Sequence, residues 1–108
     1  MLYEVSKNIL DALVSECIRA YGDRLVSIVV FGSVGRGTHS YTSDIDLLII
    51  VRGLPKGRMN RIRGFEGVEK GLENVLEEAN TRGWSVSLSP IIRTPDEVQL
   101  GGYIYLDM

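Results

Sequence analysis

The sequence predicts an α+β fold, a small mixed β-sheet flanked by helices. Three observations carry that prediction. Two apolar, β-branched runs, Leu25–Phe31 and Asp44–Val51, are separated by a stretch rich in glycine and hydroxyls. Apolar stripes at helical spacing precede the first run and follow the second. A third run, Trp84–Ile92, alternates apolar residues with serine before it closes on Pro90-Ile91-Ile92. Helix, strand, turn, strand, helix, strand, short helix is the order of one domain with its sheet covered by helices. A chain of 108 residues has enough material for one core and not for two, so residues 1–108 read as a single domain.

Val5, Ile9, Leu13 and Cys17 recur every four residues, with Leu10, Val14, Ile18 and Tyr21 beside them. That stripe predicts an amphipathic helix over residues 2–21, stopped by Gly22. Cys17 lies on the apolar side and reads as a core residue. It is the only cysteine, which excludes an internal disulfide and a cysteine metal cluster. Leu25–Phe31 is almost wholly apolar and predicts a strand covered on both faces. Gly32–Ser43 reads as a connection with room for a single helical turn over Ser33–Arg36, and Asp44–Val51 as the second strand. Phe65, Val68, Leu72, Val75, Leu76 and Ala79 set a second long helix from about Met59 to Arg82, ended by Gly83. Gly64, Gly67 and Gly71 each cost that helix about 1 kcal/mol against alanine, so its first half either frays or packs closely. Serine on alternate positions of Trp84–Ile92 predicts a third strand with one face less buried. Thr94-Pro95-Asp96-Glu97 starts a short helix: threonine as N-cap, proline first, glutamate three after the cap. Gly101-Gly102 breaks it. Tyr103–Met108 opens an apolar element that the chain does not complete, as a truncated element would; Tyr103, Tyr105 and Leu106 read as a partner patch or as core.

Apolar residues make up 44% and charged residues 24%, the balance of a soluble globular protein. The net charge of −2 gives no global field toward nucleic acid or membrane. Glu4 and Lys7 break the N-terminus as a signal peptide, and no apolar run approaches the ~20 residues of a membrane span. The expected location is the cytoplasm. Arg52, Lys56, Arg58, Arg61 and Arg63 gather where no acid occurs between Asp46 and Glu66. They read either as a solvated loop leading into a helix or as a basic flap over a polyphosphate or nucleic acid. The overall acidity argues against nucleic acid.

Asp44 and Asp46 are the residues that pure structure does not explain. Residues two apart in a strand share a face, with roots about 6.6 Å apart. Two carboxylates there repel by roughly 2–3 kcal/mol at an effective dielectric of 20. A hard divalent cation between them reverses that sign, and oxygen ligands suit Mg²⁺ or Mn²⁺. Gly32 admits a ligand close to the backbone, Ser33 offers a hydroxyl, and the amides of a helical turn there would point at an anion. A phosphate chain at Gly32-Ser33 with its metal on Asp44 and Asp46 requires the two strands to be antiparallel neighbours. A P-loop is excluded because Thr38-His39 follow Gly37, and a dinucleotide fingerprint because Ser40 stands where a glycine is needed. His39 and Tyr41 in the connection read as surface residues, with a catalytic histidine and a base-stacking tyrosine as the functional alternatives.

Gly32-Ser33, ten residues, then Asp44-Ile45-Asp46 resembles the signature of the DNA polymerase β-like nucleotidyltransferase superfamily. The fuller phrase, Gly-Ser-Val-Gly-Arg-Gly through Ser43-Asp44-Ile45-Asp46-Leu47, is similar to its minimal nucleotidyltransferases. The resemblance implies the nucleotidyltransferase fold. Gly32, Ser33, Arg36 and Ser43 would sit at the nucleotide, with Arg36 either meeting a phosphate or holding the turn by an ion pair, and Asp44 and Asp46 would be catalytic and hold two Mg²⁺ ions. The reaction it implies moves a nucleoside monophosphate from an NTP, ATP first, to a hydroxyl of a protein or small molecule. Small members often pair with a HEPN-domain toxin, so a second chain, or a further copy of this one, is an expected partner. Members usually carry a third carboxylate on the strand after the long helix. Here Ser85, Ser87 and Ser89 occupy the outward positions, and serine replaces a carboxylate neither as base nor as anionic ligand. Asp96, Glu97 and Asp107 are the remaining acids nearby. A module that binds NTP–Mg²⁺ and neutralises a partner by contact is therefore the alternative.

Overall fold

Cross-strand pairing, rather than any one element, decides where the unusual residues of this chain end up. The computed structural model describes the backbone of residues 2–36 and 41–100, and the side chains of 7–31 and 42–99. Helix α1 spans Leu2–Tyr21, strand β1 Leu25–Arg36, strand β2 Tyr41–Val51, helix α2 Arg58–Thr81, strand β3 Trp84–Arg93 and helix α3 Pro95–Leu100. The sheet has the order β1-β2-β3. β1 runs antiparallel to β2, and β2 runs parallel to β3 across the α2 connection. The sheet is mixed and the fold α+β, as the sequence predicts.

The period-four stripe of α1 buries Ile9, Leu13, Cys17 and Tyr21. α2 buries Phe65, Val68, Leu72 and Ala79. Both helices pack on the same face of the sheet, against Ile45, Leu47, Ile49 and Val51 of β2 and Trp84 and Ile92 of β3. Fully burying a side chain such as Phe65 or Leu72 stabilises by about 1.5–3 kcal/mol. Burial pushes the Cys17 thiol up to about 11, with the neighbouring Glu16 carboxylate adding to the effect, so this thiol is core and not nucleophile. α2 stays continuous through its glycines. A Cβ at Gly71 would run into the side chain of Glu16 on α1, so close packing is the outcome there. The helix stops at Gly83, whose φ of 89° suits glycine and turns the chain into β3.

Among the described residues the opposite face is largely bare. α3 covers only its lower end, where Val98 seals Leu48 and Ile50. The capping box predicted for α3 forms. The Thr94 N–H donates to Glu97 Oε1 at 2.8 Å, and the Glu97 N–H donates to Thr94 Oγ1 at 3.3 Å.

Three expectations are corrected. The first strand is not covered on both faces: Phe31 is 58% exposed, because no described element lies over that part of the sheet. β1 does not stop at Phe31 but continues to Arg36, and β2 begins at Tyr41. No helical turn forms over Ser33–Arg36, because those residues pair with Tyr41–Asp44 in the antiparallel ladder. Pairing across strands gives alternate residues two ladder bonds each and continues a sheet already formed, which one isolated turn cannot match. Among the described residues no helix is long and apolar enough to cross a membrane.

Candidate active site on the open face of the sheet

Asp44 and Asp46 stand on the central strand, and alternation sends both to the bare face while Ile45 enters the core. The register builds successive rows across the sheet. Ser33, Asp44 and Ser87 form one, and Phe31, Asp46 and Ser89 form the next. Val29, Leu48 and Ile91 follow, and then Ser27, Ile50 and Arg93. Rows two residues apart are separated by about 6.6 Å. Both aspartates are exposed, and neither makes a hydrogen bond or ion pair with a described residue.

Two like charges held on one face without a described partner are an unbalanced arrangement that a cation would offset. Among the described residues no group of three or more His, Cys, Asp or Glu is placed to hold a metal. A fully protein-ligated metal is therefore not what these residues fit. They do fit Mg²⁺, which takes one or two carboxylates, keeps several waters and completes its shell with substrate phosphates.

The antiparallel relation that the site needs is present: Ser33 pairs with Asp44, and Gly32 with Ile45. The ladder removes one part of the sequence reading, the amide cradle at a helix start. Arg36 pairs with Tyr41, three residues along from the Ser33 row. Ser43 is half-buried and alternates onto the face of Ile45, opposite the aspartates, so the strand does not bring its side chain to them. The side chains of Ser33, Arg36 and Tyr41 lie outside the described residues, as do His39, Tyr103, Tyr105, Leu106 and Asp107.

No described acid fills the third position. Ser87 and Ser89 flank Asp44 and Asp46 on β3, both exposed. Glu97 is engaged elsewhere. Its Oε1 accepts from Arg61 Nη1 at 2.6 Å, and Arg61 and the Thr94 cap hold its carboxyl down to about 2. Asp96 is exposed in the first turn of α3, the helix that covers Leu48 and Ile50 rather than the aspartates.

The structure also places two features that sequence reasoning did not. Phe31 stands exposed in the row of Asp46, an aromatic beside the carboxylates. Arg93 joins Lys56, Arg58 and Arg61 around one hollow, although Arg93 lies 32 positions after Arg61 in the sequence. Within the basic segment, Arg61 is structural: Nε donates to the Pro55 carbonyl at 2.9 Å and Nη1 to that of Ile92 at 3.3 Å.

The profile of the nucleotidyltransferase domain family matches residues 10–100. A Methanocaldococcus jannaschii protein, provisionally named a protein adenylyltransferase, is 39% identical over 93 residues. The match takes in 86% of this chain and 58% of that protein, so the chain spans little more than half the length of this relative. The Gly-Ser to Asp-x-Asp phrase, the mixed sheet that carries it and the family match thus agree over most of the chain, which belongs to the nucleotidyltransferase domain family.

Proposed function

We propose that this domain transfers a nucleoside monophosphate from a nucleoside triphosphate, ATP first, to a hydroxyl of a protein acceptor. The acceptor oxygen bonds to the α-phosphorus, the bond to the β-phosphate bridge breaks, and pyrophosphate leaves. The observation that carries the reading is the pair Asp44 and Asp46, free of described partners on the exposed face of the central strand and flanked on β1 by Gly32-Ser33. Asp44 and Asp46 would hold Mg²⁺, two ions by the family resemblance and with Mn²⁺ as a substitute, which supplies charge neutralisation at the transferring phosphate. The chain itself contributes position: alternation fixes both carboxylates on one side, and the Gly32 backbone allows close approach. Ser87 and Ser89 can hydrogen-bond an acceptor but cannot take its proton at neutral pH, so the proton goes to water or to a base on the acceptor's own chain.

A protein acceptor is favoured by the name of the Methanocaldococcus relative. A second chain is favoured because no described element covers the aspartate rows, leaving the acceptor to be enclosed from outside. A HEPN-domain protein, expected from the family resemblance, is the first partner to test. The test is label transfer from α-labelled ATP to a co-purified partner with Mg²⁺ present. Transfer lost on Asp44→Asn and on Asp46→Asn supports the reading.

A second reading is favoured by one observation, the serines at 85, 87 and 89 where an acid would complete the site. In it the domain binds NTP–Mg²⁺ and neutralises its partner by contact. Nucleotide binding without transfer to any partner, with neutralisation surviving Asp44→Asn, selects it.

A further inference from the structure

An open hollow of about 470 Å³ lies at the C-terminal end of β3, lined by Lys56, Gly57, Arg58, Arg61, Arg93 and Glu97. Four cations share it with one carboxylate, and that carboxylate is already spent on Arg61 and the α3 cap. Lys56 and Arg58 are exposed, and neither side chain has a hydrogen bond or ion pair to a described residue. Arg93 is half-buried, with Nη1 donating to the Ile92 carbonyl at 3.0 Å. Arg58 and Arg61 also occupy the first turn of α2, where the helix dipole disfavours positive charge. Arg61 is held by the fold, but nothing in its stability explains Lys56 and Arg58 beside it.

Its position relative to the aspartates is informative. Arg93 pairs with Ile50 and so shares the open face with Ser87, Ser89 and Ile91, the last 41% exposed. From Ser89, beside Asp46, to Arg93 is four residues, or about 13 Å along the strand. In the proposed reaction the nucleotide lies on the β1 flank, at Gly32-Ser33. Attacking and leaving oxygens of a phosphoryl transfer are roughly in line, so the acceptor enters over the other flank, which is β3. β3 pairs only with β2 among the described residues, so apart from the Ile92 carbonyl, which Arg61 and Arg93 hold, and Pro90, which has no N–H, its outer edge can take an added strand. Charge is graded along this edge. Glu66, Glu69 and Glu73 outnumber Lys70 in a groove with Val86 and Leu88, while four cations lie at the Arg93 end.

We propose that the basic hollow is an acceptor-docking site, which takes the carboxylates of an acidic segment about four residues from the hydroxyl that is modified. The proposal rests on the transfer reading above and names the acceptor's chemistry. An extended segment lying along β3 advances at the strand's own rise, so acids at that offset reach Lys56, Arg58 and Arg93 while the hydroxyl lies over the aspartates. The glutamates beside Val86 and Leu88 repel acids on the other side of the hydroxyl and would equally repel a long polyanion. With the net charge of −2, this favours a short acidic segment over a nucleic acid strand.

The test uses the full chain and fluorescent peptides of about twelve residues, each with one tyrosine in a neutral background. A glutamate pair is placed about four residues from the tyrosine, on either side, or about eight residues away, or left out. Binding is read by anisotropy and turnover by label transfer from ATP with Mg²⁺. The peptide with acids about four residues away binds about tenfold tighter than the neutral one, and added salt erodes the gain. Lys56→Glu with Arg58→Glu removes the gain, and so does the milder Lys56→Gln with Arg58→Gln, while ATP binding and the thermal midpoint stay unchanged. Equal binding of acidic and neutral peptides, a preference that survives both double variants, or displacement of the peptide by a lower concentration of single-stranded RNA overturns the proposal. Acid-dependent binding without transfer leaves the docking site standing and sinks the transfer reading. Transfer that ignores the acids does the reverse.

Discussion

The two faces of β2 carry opposite chemistry on one continuous strand. Ile45, Leu47, Ile49 and Val51 point into the layer made by α1 and α2, and none is more than 7% exposed. Asp44 and Asp46 point the other way, into the open, with Leu48 and Ile50 below them sealed by Val98 of α3 and packed against Val26 and Val29. The covered face holds the domain together. The open face is held in place by it and contributes charge instead of cohesion. A strand can serve both ends because its side-chain period is two, so neither role constrains the residues of the other. The same division runs through β3, where Trp84 and Ile92 are core and Ser85, Ser87 and Ser89 are exposed.

The sharpest way to break this comparison is to change each face and read both activity and stability. Asp46→Asn is expected to lower nucleotidyl transfer by about a thousandfold, on the order of 4 kcal/mol of transition-state stabilisation. Its unfolding midpoint in denaturant stays level or rises, because one of two repelling charges is gone. A fall in stability as large as that of a core variant would mean that Asp46 is structural. Leu47→Ala, one residue along, should do the opposite. It should cost about 2–5 kcal/mol of unfolding free energy, measured by denaturant titration, since Leu47 is 1% exposed and its cavity lies between sheet and helices.

A smaller effect tests the empty third position. Ser89→Asp adds a carboxylate in the row of Asp46 and should destabilise the metal-free domain by about 1 kcal/mol or less. Added Mg²⁺ should raise the thermal midpoint of this variant more than that of the parent, by linkage to binding. An equal response in both would show that β3 does not face the metal position. The smallest effect belongs to the α3 lid over the lower open face. Arg61 and the Thr94 cap hold the folded-state Glu97 carboxyl at about 2, below its ordinary 4.5. The stabilisation is present above about 4.5 and fades as pH falls toward 2. With Glu97 41% exposed, it amounts to about 1 kcal/mol at most. Glu97→Gln should therefore flatten the acid limb of the stability profile in that window and leave stability near pH 2 unchanged.

Much of the fold was legible because its signals are local. The period-four stripe from Ile9 to Cys17, the Phe65 to Ala79 face and the Thr94–Glu97 box each depend on residues within a turn or two of one another. Their boundaries in the structure fall within a residue or so of the predicted ones. Serine on alternate positions of β3 correctly marked its exposed side. Covering layers were harder to read. Leu25–Phe31 is as apolar as a doubly covered strand, and an apolar run does not reveal whether a second layer of the chain exists to cover it. The hydroxyl-rich stretch after Gly32 looked like a turn because its propensities are weak, and pairing with β2 overrode them.

The sequence by itself determined the elements and singled out two aspartates that no structural role explains, along with the phrase that ties them to nucleotidyl transfer. The elements and the unexplained aspartates follow from spacing along the chain, which folding does not alter, and the tie to nucleotidyl transfer follows from the family resemblance. Only the tertiary structure decided which face of the sheet stays bare and that Ser43 turns away from the aspartates beside it. It also decided that Arg93 closes a ring of cations with Lys56, Arg58 and Arg61. These depend on register between strands and on which helices pack where, and both are fixed by contacts between residues far apart in sequence.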